Sequence, residues 1–219
     1  MKFLSYLISL IEARDWTAFE NVALRDPVAF QVFTDIVSDH PEFNGMTLLH
    51  ACARYNPPID IVSHMIMAYP ETLGVQDCIG RTPLHVAAGT DASPQLIRLL
   101  VKACPGSCNV QDDDGMTPLH LACDSSCRLF EGDDTYKRGP PLYDTVRHLL
   151  KGSLLSATLE DEDEMSALEC AIVSDAPIKV VKLLQMATHK QIINMINASC
   201  NSDLQRIHII GVVDPTKKV

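Results

Sequence analysis

Apolar residues in this chain fall in short bursts with helical spacing. Phe3, Leu4, Leu7, Ile8, Leu10 and Ile11 form one stripe, with Ser5, Tyr6 and Ser9 opposite. Residues 16–24 and 30–37 continue the helical pattern. Beyond them the bursts become periodic. A compact apolar run follows Thr47, Thr82 and Thr117, positions that stand 35 residues apart. A second cluster lies about 15 residues after the Thr, at Ile61 and Val62 and again at Leu96, Ile97, Leu99 and Leu100. Self-similarity at such a period predicts stacked supersecondary units, each unable to bury its apolar face alone.

The residues around each Thr say what the unit is. An acidic residue (Glu42, Asp77, Asp112) comes three positions before a Gly (Gly45, Gly80, Gly115), and the Thr follows two residues later. Asp-x-x-Gly supplies a turn, because Asp bonds nearby backbone and Gly accepts positive φ. Thr is a good N-cap, and Pro83 and Pro118 suit the first helical residue, where no N–H is needed. Leu and small Ala or Cys residues then make a close-packing first helix. The later cluster is the inner stripe of a second helix.

The stretches 80–88 (GRTPLHVAA) and 115–123 (GMTPLHLAC) resemble the ankyrin repeat, and 45–53 (GMTLLHACA) departs only by Leu48. The period is two residues longer than the family's 33. A fourth copy begins at Ser166, which lies 49 residues after Thr117, 14 more than the period allows. Those 14 residues fall between the two helices of the third repeat, because the spacing from Val146 to Ser166 is again regular. The fourth repeat has Glu164, Ala167 and Glu169 where the others carry Gly, Pro and His, and a second helix over 178–184.

The expectation is an all-α ankyrin-repeat solenoid over residues 1–214. It divides into an N-terminal cap (1–40), repeats near 42–75, 77–110, 112–159 and 161–190, a C-terminal cap (191–214) and a tail (215–219). The insertion occupies 125–141. Ser202, Asp203 and Leu204 could open a short fifth unit. Residues 1–11 combine a Lys with an apolar stretch, but Glu12, Arg14 and Asp15 follow without a small-residue cleavage site, which favours a capping helix over a signal peptide.

Composition narrows the function. Net charge is −10 over 219 residues, which argues against a phosphate-neutralising surface and so against nucleic acid. No apolar run reaches the length of a membrane span. Of the eight Cys, Cys52, Cys123 and Cys170 fall in the small-residue positions of first helices. They read as buried hydrophobes in a reducing compartment, the cytoplasm or the nucleus, rather than as a disulfide framework.

Candidate chemistry is sparse. His50, His85 and His120 recur with the repeat, which marks them as structural. Cys104 and Cys108, and Cys123 and Cys127, are C-x₃-C pairs and lack the C-x₂-C spacing of structural zinc sites. Asp112 to Gly115 resembles a calcium loop, but Val110 stands where the first ligand belongs and no Glu closes it. No nucleophile–base motif or phosphate loop is present. The chain therefore reads as a non-enzymatic protein with no cofactor and no metal. The alternative is a thiol or metal protein that uses the repeat frame to position cysteines.

The resemblance implies a binding surface made of hairpin tips and first helices. On that pattern the partner-facing residues are Arg54, Tyr55, Gln76, Ile79, Arg81, Gln111, Asp113, Asp114, Met116, Glu162, Asp163 and Met165, with Arg54, Tyr55 and Arg81 as anchors. The partner is another protein, with a basic patch opposite one acidic field: Asp112 to Asp114 and Glu160 to Glu164. The chain itself is expected to be a monomer. The polarity and Gly/Pro content of the insertion suggest a solvated loop. Its sharper role is a specificity element that orders on binding, anchored by Leu129, Phe130 and Tyr136.

Overall fold

The computed structural model describes residues 2–23, 45–130 and 138–210. Two helices at the N-terminus, α1 (Lys2–Glu12) and α2 (Trp16–Ala23), pack as a pair. Leu7, Leu10, Ile11, Phe19 and Ala23 are their buried face, and α1 lies against the first repeat. The residue pattern at 30–37 and the acidic residue Glu42 lie outside the described residues, as do Tyr136 and the tail.

Four helix pairs follow: α3 (Leu48–Arg54) with α4 (Ile59–Ala68), α5 (Pro83–Gly89) with α6 (Pro94–Ala103), α7 (Pro118–Cys123) with α8 (Tyr143–Gly152), and α9 (Ala167–Val173) with α10 (Ile178–Ile210). First helices stack on first helices, and second helices on second helices. No strand forms among the described residues, and one isolated bridge joins Glu160 and Ser166. The small residues predicted for the first helices, Cys52, Ala53, Ala87, Ala88, Ala122, Cys123, Cys170 and Ala171, are buried and let those helices approach closely. Leu84, Leu96, Ile97, Leu100, Leu119, Val146, Leu149, Val180 and Leu184 fill the space between the two layers.

Proline stops the second helices of the first two repeats. Tyr69 and Cys104 precede Pro70 and Pro105 and leave the helical region, with φ −140° and −142°. A residue before proline is pushed out of the α conformation, so each helix ends there. A 3₁₀ turn, Pro70–Gly74 or Pro105–Asn109, then leads to the next hairpin.

The first helices end with a periodic signal that the sequence reading missed. Asn56, Asp91 and Asp175 each lie nine residues after the Thr or Ser cap and adopt positive φ of 51°, 53° and 50°. Asn and Asp tolerate this left-handed end because their short side chains bond locally. In the third repeat the equivalent position is Ser126. The chain instead leaves extended from Asp124, φ −94° and ψ 105°, and the insertion begins.

The described parts of that insertion do not form the solvated loop expected from its composition. Its two described legs fold back against the first helices. Leu129 lies on Gly89 so closely that a Cβ added there would clash with Leu129 Cδ1. Phe130 is half-buried against the core. On the return leg, Arg138 donates to the carbonyls of Ala88, Leu121 and Asp124 at 2.7–2.9 Å and to the Asp91 carboxylate at 3.0 Å. Composition misled here because a guanidinium with five N–H donors can satisfy the orphan carbonyls at two helix ends and be buried in doing so.

At the other end, α10 runs unbroken to Ile210. The second helix of the fourth repeat is therefore far longer than 178–184, and Ser202 to Leu204 lie inside it instead of opening a fifth unit. No Pro or Gly occurs between Ile178 and Ile210 to stop it.

Candidate functional site

The hairpin tips are built by three carboxylates. Asp77 Oδ1 accepts the N–H groups of Ile79 and Arg81 at 3.1 and 2.9 Å. Asp112 does the same for Asp114 and Met116, and Asp161 for Asp163 and Met165. Each chain reversal then needs a left-handed residue, supplied by Gly80 at φ 78° and Gly115 at 73°. In the fourth repeat Glu164 takes the same conformation at φ 60° despite its side chain. Consecutive tips are bonded edge to edge, with Asp113 N–H donating to the Ile79 carbonyl and Glu162 N–H to the Asp114 carbonyl, both at 3.0 Å.

Behind each tip stands the Thr–His pair. The Thr47 N–H donates to His50 Nδ1 at 3.0 Å, so the ring proton sits on Nε2, which donates to the Arg81 carbonyl of the next hairpin at 2.9 Å. His85 bridges in the same way to Val110 and Met116, and His120 to Met165. All three rings are buried, and that burial pulls the pKa of His50 and His85 down to about 4 and lowers His120. They are neutral struts between repeats and carry no catalytic proton. In the fourth repeat Glu169 takes the ring's place in the cap, accepting from Ser166 N–H and Oγ at 2.7 Å. A carboxylate has no proton to pass onward, and the fourth repeat continues into α10, which runs to Ile210.

The twelve predicted surface residues divide. Ile79, Asp113, Asp114, Glu162 and Asp163 are exposed on the tips, and Met116 and Met165 are half-buried. Gln76 and Gln111 are exposed, but their amides donate to the carbonyl of Gly80 or of Gly115 and Glu160 at 2.7–2.8 Å. Arg81 needs correction. Its side chain is 6 % exposed, ion-paired with the fully buried Asp77 at 2.9 Å and covered by the insertion instead of facing solvent. The acidic field is also smaller than expected: Asp112 and Asp161 turn inward to their own hairpins. Asp113, Asp114, Glu160, Glu162, Asp163 and Glu164 remain exposed.

Arg54 and Tyr55 are half-buried beside the insertion. The Arg54 guanidinium stands 3.8 Å from the Phe130 ring centre and that of Arg81 5.3 Å. Arg81 also donates Nη1–H to the Leu129 carbonyl at 2.9 Å. The sequence named Arg54, Tyr55, Arg81, Leu129 and Phe130 separately; nothing in it indicated that they meet.

Thiol chemistry finds little support. Burial holds Cys52 and Cys123 fully protonated, pushes Cys108 and Cys170 up to about 12, and pushes Cys127 up to about 11. A thiol that keeps its proton is a weak nucleophile. Among the described residues no three His, Cys, Asp or Glu side chains gather as a metal set, and no helix is long and apolar enough to cross a membrane.

A model of three consecutive ankyrin repeats matches residues 48–131, and a single-repeat model matches 114–158. A search of curated proteins finds no match. With the hairpins, caps and paired helices arranged as described, the chain belongs to the ankyrin-repeat family.

Proposed function

We propose that this chain is a non-catalytic, monomeric intracellular protein whose hairpin tips bind a partner with a basic surface. Ankyrin repeats generally mediate protein–protein interaction. The observation that carries the finer reading is the edge-to-edge bonding of the third and fourth tips. It places Asp113, Asp114, Glu162, Asp163 and Glu164 side by side on a backbone fixed by its own hydrogen bonds. A rigid, single-signed surface raises the on-rate of an oppositely charged partner and loses little entropy when it docks. Ile79, Met116 and Met165 supply apolar surface beside it. The protonated thiols speak against the cysteine-based alternative.

Affinity capture from native extract, run in parallel with wild type and the Asp113→Lys/Asp163→Lys double variant, tests this. Proteins retained by wild type and depleted at least about tenfold by the folded double variant would support tip binding. Identical captured sets would remove it.

A further inference from the structure

The leg of the insertion that carries Leu129 and Phe130 lies on the face of the first helices like a bound peptide. Three contacts hold it: the Arg54 and Arg81 guanidiniums over the Phe130 ring, the Arg81 Nη1–H bond to the Leu129 carbonyl, and the seat of Leu129 on Gly89. A cavity of about 720 Å³ opens beside it, lined by Arg54, Tyr55, Asp91 and the leg itself. We propose that the cradle of Arg54, Tyr55 and Arg81 is a second binding site, for an extended segment bearing an aromatic side chain, and that the chain's own leg fills it as a displaceable internal competitor.

The groups in the cradle define what it accepts. Two guanidiniums favour an aromatic face. Arg81 is fixed by Asp77 through Nε and Nη2, so its Nη1–H points at one place and requires a backbone carbonyl there. The pattern is a carbonyl followed by an aromatic residue, the arrangement of Leu129 and Phe130.

The leg is built to lift without undoing the repeats. Its near end is pinned by Ser125 N–H to Ser174 Oγ at 2.9 Å. Its far end is pinned by Arg138 to the helix ends. Between these anchors the Leu129 carbonyl accepts a bond from the Arg81 side chain. A short tether gives the leg an effective concentration of roughly millimolar. A free segment with an intrinsic dissociation constant of roughly 100 µM would therefore be held back about tenfold.

The probe is a capped, fluorescein-labelled peptide of residues 124–130 with Ser at position 127, titrated into the full-length chain by anisotropy. Phe130→Ala, which vacates the cradle, should bind the peptide at least about tenfold tighter than wild type. The same peptide with Ala at its aromatic position should bind neither protein. A folded Phe130→Ala chain that binds no tighter than wild type overturns the proposal. Should that variant not fold, wild type decides: millimolar peptide should shift the ring resonances of Phe130 as its ring leaves the two guanidiniums, and unchanged resonances overturn it. No native partner enters the test, so its failure leaves the tip-binding reading standing.

Discussion

At the scale of single residues, the repeat is held by a neutral imidazole that caps one helix and bonds the next hairpin. His50 and His85 have pKa near 4 when folded and about 6.5 when unfolded. Between those values the unfolded chain binds more protons. The stability that these residues contribute is therefore complete above pH 6.5 and lost as pH falls toward 4. Each adds a slope of up to about 1.4 kcal/mol per pH unit in that window. His85→Gln keeps a side chain that can accept the Thr82 N–H in a capping box. It should cost about 1 kcal/mol at pH 7 for the lost bond to the next repeat, and it should flatten the acid limb of a denaturant-derived stability profile. An unchanged limb would mean that His85 does not titrate on unfolding.

Leu84 and Leu119 are 2 % and 0 % exposed at equivalent places in successive repeats. Leu84→Ala and Leu119→Ala should each lower stability by about 2–5 kcal/mol in urea titrations. Losses under about 0.5 kcal/mol would mark these as surface positions.

At the scale of elements, the fourth hairpin and the insertion depart from the pattern. Glu164 occupies a left-handed position that glycine fills in the other hairpins, a conformation that costs an L-residue roughly 1–2 kcal/mol. Glu164→Gly should raise stability by about 0.5–1 kcal/mol, because glycine's larger unfolded-state entropy takes back part of the gain. A lower melting temperature would show that the Glu164 side chain stabilises the tip. In the insertion, Arg138 holds the ends of α5 and α7 together. Arg138→Ala should cost about 1.5–3 kcal/mol, and Arg138→Lys should rescue little, since a point charge cannot reach several carbonyls at once. Full stability of Arg138→Ala would return the insertion to the status of a solvated loop.

At the scale of the whole molecule, legibility followed periodicity. The caps, the Pro positions and the 35-residue beat stated local chemistry, so the helix pairs and hairpins around Thr47, Thr82, Thr117 and Ser166 could be read directly. The packing of residues 125–130 and 138 could not, because it depends on contacts 40 to 50 residues apart, such as Arg81 to Leu129 and Arg138 to Ala88. For the same reason Arg81 read as a surface anchor: its position in the repeat is exposed by pattern, and only the buried partner Asp77 draws it inward. The unbroken run of α10 was also missed, since Ser202 and Asp203 suggested a new cap where the helix continues.

The central claim is that the acidic tips of the third and fourth repeats steer a partner. The direct measurement is the association rate of a captured partner with wild type and with Asp113→Lys/Asp163→Lys, at about 20 and 200 mM salt, across which the screening length falls to well under about 10 Å. Wild type should associate several-fold faster at low salt, and the double reversal should be slower and nearly indifferent to salt. Equal rates for the two folded proteins at low salt would contradict the account.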